Sequence, residues 1–444
     1  MRTQPEVIIQ RLEADNSRLA KEAILAEAMN EGLDEFFEGL GMALDKLYTF
    51  GVKQVPVSEQ DGQGLSWVMF KQLAESLYRR ELTGHAARDA IKLAMDVATK
   101  DQWNFFYRRI LIKDMRGGFG EKSVNNVAKK QKKPQYAVPV FECMLAHDSA
   151  NHEAKLTGAK ILQPKLDGVR AITVIDYENK TVTMYTRNGK VLDNFGHITK
   201  YLEGFMEEFG RSYILDGEVV SRSFQDLMKQ VHRKDNVQAT DARLCLFDIV
   251  PLVEFKAGKS VMAQKRRSLF LKNFENIFTD SGFIEIIPQI EVNLDEFLGE
   301  LEYKDYNKRA VEQGFEGIMI KSPDAPYECK RTVSWMKSKP FIEVSLTVTA
   351  VEEGTGKNAG RLGALVCEGV DDGKRILVNV GSGLTDDQRC EFWAAHQVDP
   401  QSVVGQVVEV RADAATRNQD SQDVWSLRFP RFLRFRGFSQ GEKI

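Results

Sequence analysis

Apolar residues recur at helical spacing through the first 130 positions. Ile8, Leu12 and Leu19 mark one stripe, and Leu33, Phe36, Phe37, Leu40, Leu44 and Leu47 mark a second. Residues three and four apart share a helix face, so the pattern predicts an all-α segment from Glu6 to about Val127. Leu82-Thr83-Gly84 reads as a turn with an N-cap ahead of an alanine-rich helix. The character changes after Lys129-Lys130-Gln131-Lys132-Lys133-Pro134, a charged linker whose proline favours extended chain before it. Beyond it, Ala171-Ile172-Thr173-Val174-Ile175 and Thr181-Val182-Thr183-Met184-Tyr185 flank a polar Glu178-Asn179-Lys180 turn and predict a hairpin. Strand-like runs at Ile214-Leu215, Leu244-Cys245-Leu246-Phe247 and Gly317-Ile318-Met319-Ile320, with a helical stretch from Gln264 to Phe278, make this segment α+β.

After Pro340 the pattern becomes short strands with glycine turns: Val344 to Val351, Ala364 to Cys367, Ile376 to Val380, Val407 to Val410 and Leu427 to Phe435. Five strands in about a hundred residues predict a small all-β barrel of the oligonucleotide-binding (OB) fold rather than a sandwich. A chain of 444 residues exceeds one ordinary core. The expected division is a helical domain over 1–134, an α+β domain over 135–340 and an OB-fold domain over 341–444.

Composition narrows the class. An apolar content of 43% and a charged content of 28% suit a globular protein, and no apolar run is long enough to span a bilayer. Met1 to Gln10 carries Glu6 and lacks a signal-peptide stretch, so a cytoplasmic location is expected, away from membranes. The five cysteines are widely spaced without a C-x-x-C pair, and the six histidines show no ligand spacing, which argues against a disulfide framework or a zinc site. The net charge of -3 conceals segregation: residues 105–133 hold nine Lys or Arg against Asp114 and Glu121, and residues 424–444 hold five against Glu442. Phe105, Phe106, Tyr107, Phe429 and Phe432 interleave with these cations, a composition suited to a phosphate backbone.

The candidate chemistry centres on Lys165-Leu166-Asp167-Gly168-Val169-Arg170, after Gln163 and Pro164. An amine nucleophile, a carboxylate two residues on, a glycine for close backbone approach and a fixed cation are the parts a covalent nucleotidyl transferase needs. A free lysine has a pKa near 10.4, so making it half neutral at pH 7 is worth roughly 4 to 5 kcal/mol. Crowding by Arg170, Lys337 and Lys339 together with partial burial would supply much of that shift, and the same cations would hold a triphosphate. Further blocks follow in order. Thr186-Arg187-Asn188-Gly189 offers a cation at a turn; Leu215-Asp216-Gly217-Glu218 a carboxylate at a strand end; Phe247-Asp248 a ring for a purine; Glu316 to Lys321 a second carboxylate and a lysine; Trp335-Met336-Lys337-Ser338-Lys339 two lysines on one strand face.

With these blocks the chain resembles the ATP-dependent DNA ligases of tailed bacteriophages, over nearly its whole length. Glu81-Leu82-Thr83-Gly84-His85-Ala86-Ala87 is similar to part of the DNA-binding domain of the T-even enzyme, and Lys113-Asp114-Met115-Arg116-Gly117-Gly118 to the loop with which such domains grip nicked duplex. Val138-Pro139-Val140 through Met144-Leu145-Ala146 resembles the start of the family's adenylation domain, and Val380-Gly381-Ser382-Gly383 part of its barrel. The resemblance implies ATP and Mg²⁺ as cofactors, nicked double-stranded DNA as partner, and a monomer in the cytoplasm of a phage's host. Lys165 would form a lysyl-AMP, with Asp167 beside it and Lys337 and Lys339 polarising the α-phosphate. Gln163 would read the adenine edge, Phe247 would stack on the ring, Glu218 would hold the ribose or a metal, Arg170 and Arg187 would contact phosphate or ribose, and Glu316 would bind Mg²⁺. Lys113, Arg116, Gly117 and Gly118, with Arg431, Arg434 and Arg436 of the barrel, would contact DNA.

One departure stands out. Many such ligases end their last motif in Arg-x-Asp-Lys, whereas this chain has Leu427-Arg428-Phe429-Pro430-Arg431-Phe432-Leu433-Arg434-Phe435-Arg436 followed by Gly437, leaving open which of Arg428, Arg431, Arg434 and Arg436 escorts the leaving pyrophosphate. An RNA ligase or a capping-type nucleotidyl transferase shares the K-x-D-G core and is the alternative reading. A non-catalytic DNA-binding relative is the third.

Overall fold

A computed structural model describes residues 3–52, 54–221, 238–417 and 423–438. The chain divides into two compact units, Met1–Tyr306 with Met319–Lys337, and Asn307–Ile318 with Ser338–Ile444.

The first unit begins with helices α1 (Pro5–Ala14), α2 (Arg18–Asn30), α3 (Asp34–Leu44), α4 (Trp67–Tyr78), α5 (Gly84–Val97), α6 (Arg108–Leu111) and α7 (Glu121–Lys130). Local sequence helps to start some of them. Ser17 caps α2 by accepting from the Ala20 amide, and Asp34 and Glu35 place negative charge at the positive end of α3. Ile8, Leu12, Phe36, Phe37, Leu40 and Leu44 join one core, as their spacing predicts. Leu19 does not: it is 77% exposed, because α2 turns Lys21, Glu22 and Leu25 inward instead. The run Gln102–Tyr107 winds as a π-helix into α6, a widening that sequence periodicity does not reveal.

The strands of this unit are β1 (Leu145–Asp148), β2 (Ala159–Pro164), β3 (Val169–Asp176), β4 (Thr181–Thr186), β5 (Tyr213–Val220), β6 (Arg243–Pro251), β7 (Lys259–Ser260), β8 (Ile284–Ile286), β9 (Ile290–Asn293), β10 (Ile318–Lys321), β11 (Tyr327–Glu328) and β12 (Arg331–Ser338). Among the described residues they form one sheet in the order β1-β12-β10-β2-β9, a second in the order β4-β3-β5-β6-β8, and the pair β11-β7. The expected hairpin is β3-β4, with Ala171 opposite Thr186 and Asp176 opposite Thr181. The expected Gln264–Phe278 helix is broken into Gln264–Lys272 and Glu275–Asp280, with Asn273 capping the first piece.

The second unit holds β13 (Ile342–Glu353), β14 (Leu362–Asp371), β15 (Lys374–Val380), β16 (Val407–Ala412), β17 (Ala414–Arg417), β18 (Val424–Arg428) and β19 (Arg431–Phe435), in sheet order β17-β18-β15-β14-β13-β16-β19. Alternate residues Val344, Leu346, Val348 and Val408, Val410, Ala412 point into its core. Two differences from the five-strand expectation have clear causes. Leu427–Phe435 is two strands, because Pro430 cannot donate to a ladder and Phe429 turns at φ 53°. Asp386–Val398 forms a helix started by a Thr385/Gln388 capping box.

Candidate functional site

Lys165 follows the last residue of β2, so the strand carries Gln163 and the chain then leaves the sheet through Leu166-Asp167-Gly168 into β3. The turn needs glycine. A Cβ on Gly168 would run into the Val219 carbonyl oxygen and stand 2.9 Å from Glu218 Cγ, so backbone here lies directly against β5. Lys165 and Asp167 are half-buried, and the Lys165 amine donates to the Leu166 carbonyl at 3.4 Å. Gln163 is 3% exposed, and its Nε2 donates to Gln289 Oε1 at 3.1 Å.

Register places the next groups in a row. Arg170 of β3 pairs with Glu218 of β5, and Glu218 with Cys245 of β6. Glu218 is half-buried and lies within β5 rather than at its end. Arg170, expected to meet phosphate or ribose, is partly buried and forks onto a buried carboxylate: Nε and Nη2 donate to Asp216 Oδ1 and Oδ2 at 2.9 and 2.6 Å. Asp216 is fully buried and also accepts from the Tyr327 hydroxyl at 2.7 Å. Burial disfavours the Arg170 charge but Asp216 outweighs it, so its pKa is raised well above the usual value.

Phe247 is half-buried on β6, edge-to-face with Trp335 at 5.9 Å between centroids. Two cations lie close to the rings. The Arg170 guanidinium lies 5.4 Å from the Phe247 centroid, and Lys321 Nζ lies 4.8 Å from Phe247 and 4.2 Å from Trp335 while donating to the Phe247 carbonyl at 3.1 Å. Lys321 is 1% exposed, and burial pushes its amine down to about 7 despite nearby Asp248 and Asp216. Below it Arg267 forks onto Asp248 at 2.8 and 3.0 Å, with both side chains fully buried, and Gln264 joins Arg267 to the Trp335 indole. The sequence blocks held Asp216, Asp248 and Lys321, but local spacing revealed neither their partners Arg267 and Tyr327 nor the buried set they form. The available signal was an aspartate inside each apolar strand, Ile214-Leu215-Asp216 and Leu246-Phe247-Asp248, since a buried carboxylate demands a buried partner. Arg187 is exposed in the turn after β4, where Gly189 donates to the Thr186 carbonyl at 2.9 Å.

Lys337 is half-buried near the end of β12, which stops at Ser338; Lys339 therefore follows the strand instead of sharing its face. In the second unit, Lys339 pairs with Glu316 at 2.8 Å and approaches Asp413 at 3.8 Å. Arg428 approaches Glu316 at 3.6 Å and Arg431 pairs with Asp413 at 3.2 Å. Glu316 precedes Gly317, whose φ of 128° and closeness to the Ser338 carbonyl exclude a side chain. Arg434 and Arg436, expected at DNA, both bind Glu409, at 2.7 and 2.9 Å.

In the helical segment the Lys113–Gly118 loop is fixed from within. Lys113, expected at phosphate, has all three donors taken by the carbonyls of Met42, Asp45 and Tyr48, each at 2.6 Å. Arg109 donates to the Met115 carbonyl and Lys21 to that of Gly117. Arg116, with its side chain 55% exposed, is presented at the surface beside Gly118. Among the described residues no group of three or more His, Cys, Asp or Glu is arranged to hold a metal, and no helix is long and apolar enough to cross a membrane. The carboxylates of Glu218 and Glu316 are hard oxygen donors of the kind Mg²⁺ accepts when phosphate and water complete its shell.

Residues 143–339 match the ATP dependent DNA ligase domain, and residues 353–436 the DNA ligase OB-like domain. DNA ligase 2 of Methanosarcina mazei is 27% identical over 333 residues, covering 67% of this chain and 55% of its own. The DNA ligase of Methanococcoides burtonii is 27% identical over 390 residues, covering 79% and 63%. The chain thus spans less than two thirds of these curated relatives. A solved structure named Pmar-Lig_PreS3 is 52% identical, with a TM-score of 0.67, over 98% of this chain and 99% of its own.

Proposed function

The chain belongs to the ATP-dependent DNA ligases, and from that premise we propose that it seals nicks between a 5′-phosphate and a 3′-hydroxyl in duplex DNA. The observation that carries the reading is the Lys165 turn, where an amine nucleophile and a carboxylate are held against β5 by a glycine that admits no side chain. Lys165 attacks the α-phosphate of ATP, its nitrogen bonding to phosphorus as the bond to pyrophosphate breaks and a proton leaves the amine. AMP then passes from Lys165 to the 5′-phosphate of the nick, and the 3′-hydroxyl displaces it. Phe247 offers a face for adenine, Glu218 a carboxylate for the ribose, and Lys337 and Lys339 positive charge for the α-phosphate. Mg²⁺, when bound through Glu218 or Glu316, neutralises phosphate charge.

We assign the helical segment, 1–134, to DNA binding, with the α+β segment over 135–340 and the barrel over 341–444. Support comes from Arg116 exposed on an internally tied loop and from the likeness of Glu81–Ala87 to the T-even type. Arg428 approaches Glu316, and Arg431 pairs with Asp413, which Lys339 also approaches, whereas Arg434 and Arg436 bind Glu409; this favours Arg428 and Arg431 for the leaving pyrophosphate. The test is a sealing assay on a 5′-phosphorylated nicked DNA duplex and a matched nicked RNA duplex. Joining of DNA supports the reading; joining of RNA alone overturns it in favour of an RNA ligase.

A further inference from the structure

Resting on the reading of Lys165 as the ATP-reactive group, we propose that Gln289 sets which nucleobase the site accepts, by fixing which end of the Gln163 amide faces the ligand. An amide differs from a carboxylate in having a donor end and an acceptor end of nearly the same shape, so its selectivity depends on orientation. Gln163 is 3% exposed and lies two residues before Lys165. Leu162 pairs with Ile290 across β2 and β9, which brings the next residue of one strand, Gln163, beside the preceding residue of the other, Gln289. Gln163 Nε2 donates to Gln289 Oε1 at 3.1 Å, while Gln163 Oε1 accepts from no group among the described residues. The amide therefore presents an acceptor. An acceptor pairs with the exocyclic amine at C6 of adenine and opposes the C6 carbonyl oxygen of hypoxanthine or guanine, lone pair to lone pair.

The experiment compares covalent labelling of the full chain by α-labelled ATP and ITP, since inosine replaces the C6 amine by a carbonyl without adding the guanine amine. The wild-type protein prefers ATP by about tenfold or more in kcat/KM, as expected for one opposed polar pair at a buried site. Gln289→Lys can only donate, so it turns the Gln163 amide and lowers the ATP:ITP ratio by about tenfold. Gln289→Glu can only accept and keeps the ratio within about threefold. In Gln163→Glu, residue 163 has no donor end to turn outward, so adding Gln289→Lys leaves the ATP preference in place. A merely structural role for Gln289 would not be rescued in this way. Equal ratios in Gln289→Lys and Gln289→Glu, or a fall that persists beside Gln163→Glu, overturn the proposal. If Gln289→Lys fails to fold, Gln289→Leu is read instead: release of the amide lowers the ratio, and an unchanged ratio overturns it. Label from ATP with unchanged ratios sinks the Gln289 role alone, whereas absence of Lys165-dependent label from either nucleotide sinks the ligase reading with it.

Discussion

Replacing Lys113 by alanine separates two roles that the same residue could hold. Its ammonium donates to three carbonyl oxygens around the C-terminus of α3, each at 2.6 Å. Hydrogen bonds to a charged donor are worth about 1.5–3 kcal/mol each, but they share one ammonium, and its burial is unfavourable enough to push its pKa down to about 7. Allowing for that relief and for water entering the gap, the net loss is about 2–4 kcal/mol. Amides around Asp45 to Phe50 would then exchange hydrogen roughly 30- to 1,000-fold faster where local opening limits exchange, and the melting temperature would fall. Binding to a nicked duplex should keep its salt dependence. The companion variant Arg116→Ala should do the reverse, leaving exchange unchanged and lowering the salt slope by about one, the signature of a lost phosphate contact. Unchanged exchange in Lys113→Ala together with a salt slope reduced by about one would refute the reasoning and return Lys113 to the DNA surface.

Two further predictions follow from buried geometry. Gly168→Ala should slow single-turnover formation of the covalent AMP adduct by at least about tenfold, because a Cβ meets backbone of β5 that cannot rotate away; adduct formation at the wild-type rate would show that the turn is not held there. Lys321 has a folded pKa of about 7, below the 10.5 of an unperturbed lysine, so the unfolded chain binds more protons between those values and this residue makes stability rise with pH across that window. Lys321→Met should flatten the rise in melting temperature from pH 7 to 10, and parallel wild-type and variant curves would contradict it.

The candidate residues stand out in the sequence more clearly than the scaffold that orients them. Lys165 to Arg170 and the later blocks carry their message in local spacing, because a nucleophile, a turn glycine and a strand cation sit within one short segment. What Arg170 does depends on Asp216, forty-six residues away, and on the Tyr327 hydroxyl beyond it, partners that no local pattern reveals. Lys113 shows the same limit. A lysine in a basic loop reads as a phosphate contact until the carbonyls of Met42, Asp45 and Tyr48 are brought to it. In the last segment alternation marked the strands except Ala414–Arg417, and Leu427–Phe435 read as one run because its break depends on a left-handed phenylalanine, which sequence rarely announces.

The central claim is that the Lys165 amine becomes covalently adenylated and hands AMP to a nick. The most direct measurement incubates the full chain with Mg²⁺ and α-labelled ATP, locates the label by peptide mapping, and chases the isolated adduct with nicked DNA without further ATP. The account predicts label on the peptide containing Lys165 that survives alkali and is released by acid, as a phosphoramidate is, none in Lys165→Ala, and its loss to DNA during the chase with one sealed strand formed per adduct consumed. Label of the same extent in Lys165→Ala, or an adduct that nicked DNA cannot discharge, would contradict it.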